Sequence, residues 1–390
     1  MENTADAVVI GGGIMGASIG HFLAKKGFGK ILLFEKRNLA AVSTGHSAAH
    51  VRTYYSNPVT VQLAWRAVQM FENDRDELGG DCGFQQVGFL TIFGEKNSAP
   101  GKHVLEMQKK YGVEINNVSP DEISELAPQI DLDGVVGGLY ERRSGYANPV
   151  KTTNALVEQA ADWGLKVYEN VGVKEIRLQG DRVNGVVLET GETIETKVIV
   201  NAAGPWGRHV GFMAGINNSI RWSRETDMIL KIPADFGIIP VLSDSELRMY
   251  LRPNGSDEIL AGLGWPKEID PLDIDNYDPN LDCESQTRIE KALFKRIPAL
   301  RGASFVRGWA SIYTITDDWH PIVGPEPGLD GYYAFFGGCG HCFKLSPPIG
   351  ESLAAVITGS TPKIDISPFR PSRFLEGEPL SSAWGGGNRA

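Results

Sequence analysis

The 390-residue sequence predicts an α/β protein (α+β overall) with a parallel sheet and a three-stranded β-meander. Two observations support this prediction. An apolar strand, a glycine motif, a helix and a second strand follow one another at 7–35. A later three-stranded meander, at 173–197, leads into another apolar strand that can join the same parallel sheet.

The N-terminal segment has the order of elements that binds a dinucleotide. The run Ala7–Ile10 leads into Gly11, Gly13 and Gly16, which form a GxGxxG, and the second strand ends in Glu35. These glycines allow a tight turn, close approach of a pyrophosphate, and close packing of helix on strand. The helix N-terminus offers N–H groups to phosphates, and the acid can accept hydrogen bonds from a ribose. The pattern predicts a Rossmann-type site for NAD or FAD; a glycine-rich turn without a ligand is the plainer alternative.

Composition and charge narrow the class of protein. The formal net charge of -10 argues against a nucleic-acid partner, which favours a basic surface. Four cysteines are too few for a disulfide framework in so long a chain. No stretch approaches the ~20 apolar residues that a membrane span requires. We therefore expect a cytoplasmic enzyme without a membrane span.

Further motifs carry a family resemblance. The meander ends in Asn201-Ala202-Ala203-Gly204-Pro205-Trp206, and landmarks follow the order of the chain at 43–52, 145–149, 314–324 and 340–347. Together with the GxGxxG, they resemble the D-amino acid oxidase superfamily of flavoproteins. Within it, the chain looks most like the sarcosine oxidase group, in its β-subunit-like and dimethylglycine dehydrogenase-like branches. The resemblance reaches about residue 373 and implies FAD as the cofactor.

The resemblance also implies two interleaved domains. The FAD-binding domain would take 1–80, 145–215 and 310–373, and a substrate domain built on an antiparallel sheet would take 81–144 and 216–309. Residues 374–390 are expected to form a loose C-terminal tail. Strands of the substrate domain are expected at Gln86–Phe93, Arg221–Ile232 and Arg248–Gly262.

The residues expected to bind FAD fall in the matched motifs. They are Gly11, Gly13, Ile14, Met15, Gly16, Glu35, Lys36, Ser43, Thr44, His46, Ser47, Ala48, Val173, Ala202, Ala203, Gly204, Trp206, Gly340, His341, Cys342, Phe343 and Lys344. His46 follows a Thr-x pair, as does a histidine that carries flavin covalently in some relatives; packing beside the cofactor is the plainer interpretation. Cys339 and Cys342 form one C-x2-C without a second pair, so no metal site is expected.

Three residues are expected to act on the substrate. Arg52 and Lys344 match the arginine and lysine that hold the substrate carboxylate in sarcosine oxidases, a role suited to two cations. A surface arginine and a paired lysine are the alternative. Tyr250 corresponds to an active-site tyrosine of the family, although it can equally be an ordinary wall residue. The last helix is expected at about Ile349–Thr358, with its start near the flavin pyrimidine ring.

By this resemblance, the enzyme oxidises the C–N bond of a small secondary or N-methyl amino acid by hydride transfer to flavin N5, and the imine hydrolyses. One alternative is a dehydrogenase for proline, glycine or a D-amino acid that passes electrons to a partner protein. Another is a flavin-bearing relay subunit of a hetero-oligomer. Ile259–Gly264 has no lysine like the one that speeds reaction with oxygen in monomeric sarcosine oxidases, and Lys267 falls later.

Overall fold

The computed structural model describes residues 2–264, 269 and 272–381, so Lys267 and 382–390 lie outside it. The strands, in chain order, are β1 (Ala7–Ile10), β2 (Ile31–Glu35), β3 (His50–Val51), β4 (Phe89–Phe93), β5 (Asn116–Val118), β6 (Gly137–Glu141), β7 (Gly145–Tyr146), β8 (Leu165–Glu169), β9 (Val173–Gln179), β10 (Arg182–Leu188), β11 (Thr193–Ile194), β12 (Ile199–Asn201), β13 (Arg221–Lys231), β14 (Val241–Asp244), β15 (Met249–Pro253), β16 (Glu258–Leu263), β17 (Ser304–Ile315), β18 (Ile322–Pro325) and β19 (Tyr332–Phe336). The α-helices are α1 (Ile14–Lys25), α2 (Pro58–Glu72), α3 (Asp74–Glu77), α4 (Glu95–Lys110), α5 (Pro120–Leu126), α6 (Pro149–Ala161), α7 (Gly207–Met213), α8 (Cys283–Arg296) and α9 (Cys342–Ile357).

A six-stranded sheet positions the glycine motif. Its order is β18-β19-β12-β1-β2-β8, and its pairs are parallel except for β18 with β19. Alternate residues of β1 face opposite sides, as in any strand. Ala7 and Val9 pack in the hydrophobic cluster that contains α1, whereas Val8 and Ile10 pack with the meander β9–β11. The sheet is therefore covered on both faces, which explains why its strands are apolar runs.

An eight-stranded sheet forms the second layer, in the order β17-β13-β16-β15-β14-β4-β6-β5. Only β14 and β4 pair in parallel. On one face, Met228 and Leu230 of β13 pack in a cluster with α8. The other face is turned to the N-terminal layer, because Arg252 Nε donates to the Ala48 carbonyl at 2.7 Å and Trp309 Nε1 donates to the His46 carbonyl at 3.1 Å.

Helices α2 and α6 each begin at an Asn-Pro pair. Asn57 Oδ1 accepts from the amides of Val59 at 3.1 Å and Thr60 at 3.4 Å, and proline begins α2. Asn148 caps α6 in the same way. An Asn-Pro pair is a local signal for the start of a helix. The asparagine side chain accepts hydrogen bonds from the first backbone amides of the helix, and proline lacks a backbone N–H that would have no partner at the first helical position. None of the described helices is both long and apolar enough to cross a bilayer.

The predicted strand Arg248–Gly262 was wrong in extent, because it is a hairpin of β15 and β16 around Asn254-Gly255. Gly255 has φ of +78° there, and the Asn254 amide donates to the Glu258 carbonyl at 2.8 Å. The strand predicted at Gln86–Phe93 is β4, which begins at Phe89 because Gly88 turns the chain with φ of +80°.

The predicted start of the last helix was also wrong. Helix α9 begins at Cys342, seven residues before Ile349, and passes through Pro347 and Pro348. Prolines inside a helix remove backbone donors and normally end it. Here the helix is buried against α1, where a Cβ on Gly350 would lie 3.0 Å from the backbone of Ser18. Close packing offsets the lost hydrogen bonds.

Candidate cofactor and substrate site

One large cavity of about 1440 Å³, including its open mouth, lies at the carboxyl edge of β1, β2 and β12. The carboxyl edge of a parallel sheet is where nucleotides bind. The residues expected from the sequence that line it are Gly11, Gly13, Ile14, Met15, Glu35, Lys36, Ser43, Thr44, Ser47, Val173, Ala202, Ala203, Gly204, Trp206, Gly340, Cys342 and Phe343. Other lining residues were not expected from the sequence, notably Arg37, His209, Met213 and Ile312, and Tyr313 also lines the cavity. Most of these belong to no motif, and His209 and Met213 lie on the short helix α7.

The glycine motif forms a cradle that other residues cannot form. Gly11 has φ of +112°, and a Cβ on it would lie 2.5 Å from the Ala202 carbonyl oxygen. A Cβ on Gly16 would lie 1.8 Å from the Gly11 carbonyl oxygen. Gly13 caps the start of α1. The backbone can therefore approach a pyrophosphate at the positive end of a helix, so the residues present fit FAD.

Side chains around the cradle are held by the backbone. Glu35 accepts from the Gly12 amide and from the Arg37 amide, each at 2.7 Å. Thr44 Oγ1 accepts from the Ile14 amide at 3.1 Å. The acid at the end of β2 is thus fixed at the cavity wall, where a ribose can donate to it.

Five expected cofactor residues do not line the cavity. Gly16 lies beneath Gly11, and the Ala48 carbonyl accepts from Arg252. The His46 ring lies beside Trp309, with 6.2 Å between ring centroids, and burial lowers the pKa of His46. The other two, His341 and Lys344, lie in the first turn of α9 or just before it, where Lys344 Nζ donates to the His341 carbonyl at 3.0 Å.

The cavity mouth carries a basic and aromatic cluster. Lys36 Nζ lies 3.7 Å from the ring centroid of Trp206, and the guanidinium of Arg37 lies 5.4 Å from it. Asp275 accepts from Trp206 Nε1 at 2.7 Å and pairs with Lys36 at 3.5 Å. Asp275 belongs to the segment after β16, so residues distant in sequence meet at this rim.

The two thiols near the cavity are buried. The Cys339 Sγ donates to the Gly337 carbonyl at 3.1 Å and lies 3.3 Å from Thr316 Oγ1. Burial raises the pKa of Cys339 to about 11. Within the described ranges, no group of three or more His, Cys, Asp or Glu side chains is arranged to hold a metal ion.

The structure brings Arg52 and Lys344 together around one aromatic ring. The Arg52 guanidinium lies 4.3 Å from the ring centroid of Tyr55, and Lys344 Nζ lies 5.4 Å from the same centroid. Arg52 also donates to the Tyr54 carbonyl. Lys344 is only 3% exposed. The guanidinium and the buried ammonium thus both lie near the Tyr55 ring, and an anion that contacted both would offset the cost of desolvating the two charges.

A second group of side chains near the cations comes from the eight-stranded sheet. Tyr250 donates from its hydroxyl to Asp227 Oδ1 at 2.6 Å, and its ring meets the edge of the His50 ring at 5.3 Å. The His50 ring in turn lies 5.6 Å from that of Phe89, which is 5.8 Å from the Arg52 guanidinium. This chain of contacts links the tyrosine wall to the two cations.

Tyr250 also lies close to the cofactor cavity. Tyr313 lines that cavity and lies close enough to Tyr250 to raise its pKa together with burial and Asp227. A Cβ on Gly340 would lie 2.1 Å from the Tyr313 ring, so α9 and the sheet meet there. We refer to the group of side chains Arg52, Tyr55, Lys344, Tyr250 and Tyr313, which we propose below to bind the substrate, as the substrate chamber.

Comparison with known proteins agrees with this geometry. A family model described as DAO, FAD dependent oxidoreductase, matches residues 6–356. Mitochondrial sarcosine dehydrogenase of Mus musculus is 30% identical over 389 residues, which cover 96% of this chain and 42% of that protein. Mitochondrial dimethylglycine dehydrogenase of Rattus norvegicus is 27% identical over 398 residues, covering 96% of this chain and 45% of that protein. The chain thus spans less than half the length of these relatives.

Among solved structures, L-proline dehydrogenase from P. horikoshii superposes with a TM-score of 0.91 at 29% identity, covering 97% of this chain and 100% of that chain. Glycine oxidase from Bacillus cereus shares the fold, with a TM-score of 0.78 at 24% identity over 91% of this chain and 95% of that one. Because the family model spans most of the sequence and its glycine motif lines a cavity that fits a dinucleotide, the chain belongs to the DAO family of FAD-dependent oxidoreductases.

Proposed function

We propose that the protein oxidises the C–N bond of a small amino acid whose nitrogen is secondary, such as an N-methyl amino acid. The observation that carries the proposal is the pair of cations, Arg52 and Lys344, on the Tyr55 ring beside the cofactor cavity. A carboxylate is the substrate group that two such cations select. The charge pattern favours an amino acid over a simple amine.

Each residue of the chamber has a separate role in this proposal. The planar fork of Arg52 can hold a carboxylate through two parallel hydrogen bonds, and Lys344 adds a point charge. Tyr250 forms the wall opposite the carboxylate. When bound, FAD supplies the hydride acceptor at flavin N5. Holding the carboxylate at one end fixes the carbon beside nitrogen in one position, which is the main contribution a protein makes to such a reaction.

The names of relatives support a substituted nitrogen. Sarcosine and L-proline, in the names of the mouse and P. horikoshii proteins, have a secondary amine, and dimethylglycine, in the name of the rat protein, has a tertiary one. Oxidation of an N-methyl group would release formaldehyde and a primary amino acid after the imine hydrolyses. Oxidation of proline would leave a cyclic imine.

The electron acceptor is oxygen or a partner protein. In monomeric sarcosine oxidases a lysine speeds the reaction of the flavin with oxygen. The comparable stretch here, Ile259–Gly264, contains no lysine, and Lys267 is outside the described residues. We therefore propose a dehydrogenase that transfers electrons to another protein, with slow reaction with oxygen. The cytoplasmic location stays a prediction, since the mouse and rat relatives are mitochondrial by name.

The test is an anaerobic titration of the purified holoprotein with sarcosine, L-proline, glycine and several D- and L-amino acids. Reduction is monitored as the loss of flavin absorbance (bleaching). We expect bleaching by a secondary amino acid and at least a hundredfold weaker response in Arg52→Ala, because a charge-assisted bidentate contact contributes about 3 kcal/mol. Arg307→Ala, at an exposed position of β17, is the matched control.

Admitting air afterwards and measuring hydrogen peroxide separates an oxidase from a dehydrogenase. Bleaching that persists unchanged in Arg52→Ala would remove the carboxylate clamp from the proposal. A flavin that none of these amino acids reduces would favour a relay subunit instead.

A further inference from the structure

The hydroxyl of Tyr250 has a fixed direction of hydrogen bonding. It lies 2.6 Å from Asp227 Oδ1, and a carboxylate is an acceptor only. A phenol has one proton and two lone pairs, so a phenol that donates to a carboxylate can only accept from a third group. Toward any further partner, the oxygen of Tyr250 can therefore act only as an acceptor.

Burial keeps the proton on this tyrosine. Burial and the neighbouring charge of Asp227 raise the pKa of Tyr250 well above its usual value of 10. Asp227 is only 5% exposed and is paired across the sheet with Gly262. A Cβ on Gly262 would lie 2.3 Å from Asp227 Oδ1 and 2.5 Å from the Tyr250 hydroxyl, so this glycine provides the space in which the pair meets.

We propose that Tyr250 accepts a hydrogen bond from the N–H of the substrate amine, that Asp227 is the positioning residue that enforces this direction, and that the chamber thereby selects secondary and primary over tertiary amines. The inference rests on the proposed function, because the carboxylate clamp places the amine opposite Arg52 and Lys344.

The selection follows from counting N–H bonds in the neutral amine, which is the form that can lose a hydride. A neutral secondary amine keeps one N–H for Tyr250 and a free lone pair on nitrogen. A neutral tertiary amine such as dimethylglycine has no N–H, and its lone pair faces the lone pairs of the phenol oxygen. The mismatch leaves a buried acceptor without its donor, which costs about as much as the lost hydrogen bond.

Two redox-inert ligands of one shape test the inference directly. Pyrrole-2-carboxylate presents an N–H beside its carboxylate, whereas 2-furoate presents an oxygen at the same place. Binding is measured on the FAD-loaded protein by flavin absorbance and by calorimetry. We expect the pyrrole to bind the unmodified protein about tenfold more tightly than the furan, as one buried hydrogen bond predicts.

Four variants separate positioning from general structure. Tyr250→Phe and Asp227→Leu should each reduce the preference to within about twofold, the first by removing the acceptor and the second by freeing the phenol to donate. Asp227→Asn keeps an oxygen that can accept from the Tyr250 hydroxyl, so this variant should retain most of the preference for the pyrrole over the furan. Tyr140→Phe, on β6 and packed against the hydrophobic cluster that contains Met228, Leu230 and α8, is the control and should leave the preference unchanged.

The outcomes distinguish the two proposals. If neither ligand binds, the carboxylate clamp fails and with it the proposed function. Equal binding of both ligands to the unmodified protein would overturn the present inference and leave the clamp standing. A second readout is the limiting rate of anaerobic flavin reduction: sarcosine should exceed dimethylglycine at least tenfold, and Tyr250→Phe should narrow that ratio. An unchanged ratio in this variant would also overturn the inference.

Discussion

The Asp275 carboxylate and the Trp206 indole are joined by a hydrogen bond of 2.7 Å across the mouth of the cofactor cavity. Lys36 lies over the same indole and pairs with the same carboxylate. Trp206 follows β12 of the six-stranded sheet, whereas Asp275 follows β16 of the other sheet. The contact thus ties the two layers together at the rim, and burial lowers the pKa of Lys36 there although Asp275 partly compensates.

Asp275→Ala should speed the loss of FAD. Without the carboxylate, the indole loses its acceptor and Lys36 its partner, so the rim is held less firmly. We expect several-fold faster dissociation of FAD, measured by the recovery of flavin fluorescence after dilution. Asp257→Ala removes an exposed ion pair with Lys231 on the same layer and should leave the rate unchanged. Equal rates in both variants would show that the rim contact does not retain the cofactor.

Gly16→Ala should abolish FAD binding. The added Cβ would lie 1.8 Å from the Gly11 carbonyl oxygen, so the turn and α1 must separate. Purified protein should contain less than about a tenth of the FAD of the unmodified protein and unfold at lower temperature, as expected for overpacking of about 1–3 kcal/mol. Gly302→Ala meets nothing within 4 Å and serves as the control. Full FAD content in Gly16→Ala would contradict the cradle.

The flavin should be bound without a covalent link to His46. The His46 ring lies beside Trp309 and does not line the cavity. Denaturation in acid or detergent should therefore release all yellow colour into the filtrate of a centrifugal membrane. His46→Ala should keep its FAD under native conditions. Flavin that stays with the denatured chain and disappears in His46→Ala would show that the covalent alternative holds.

Glu326→Gln should stabilise the protein above pH 7. Burial raises the pKa of Glu326 from 4.5 to about 7, so the folded state holds a proton that the unfolded state releases between these values. Stability therefore falls as pH rises from 4.5 to 7, by about 1 kcal/mol after allowing for solvent screening of this half-exposed group. Thermal unfolding should favour the variant by a few degrees at pH 8 and not at pH 4.5. The exposed Glu158→Gln is the control.

Local rules predicted the parts of the fold that depend on neighbours in sequence. Gly11, Gly13 and Gly16 act through a single turn, and Asn57 and Asn148 cap the helix that follows them at once. Each of these signals is complete within a few residues, so the sequence alone carries it.

The missed features depend on partners far along the chain. Asp227 is one of the polar residues at alternate positions of β13, with Ser223 and Glu225, a pattern that ordinarily marks a solvent-facing side. Its burial follows from the second layer packed against it. Asp275 meets Trp206 only when both sheets are in place. The start of α9 was misjudged because Pro347 and Pro348 are strong local stop signals that tertiary packing overrides.

The order of strands in the six-stranded sheet has a consequence for biosynthesis. Strand β1 is synthesised first, but its neighbour in the sheet is β12, where Ile199 pairs with Val8. The other edge of β12 pairs with β19, where Ile199 is aligned with Tyr332, which is synthesised more than 130 residues later. Until those residues leave the exit tunnel, β12 presents an open edge, the kind of surface that promotes misassociation. The cofactor cavity gains its Gly340 and Phe343 wall later still. The complete flavin site can therefore form only after the chain has been synthesised through Phe343, and until β19 has formed the edge of β12 is open to misassociation.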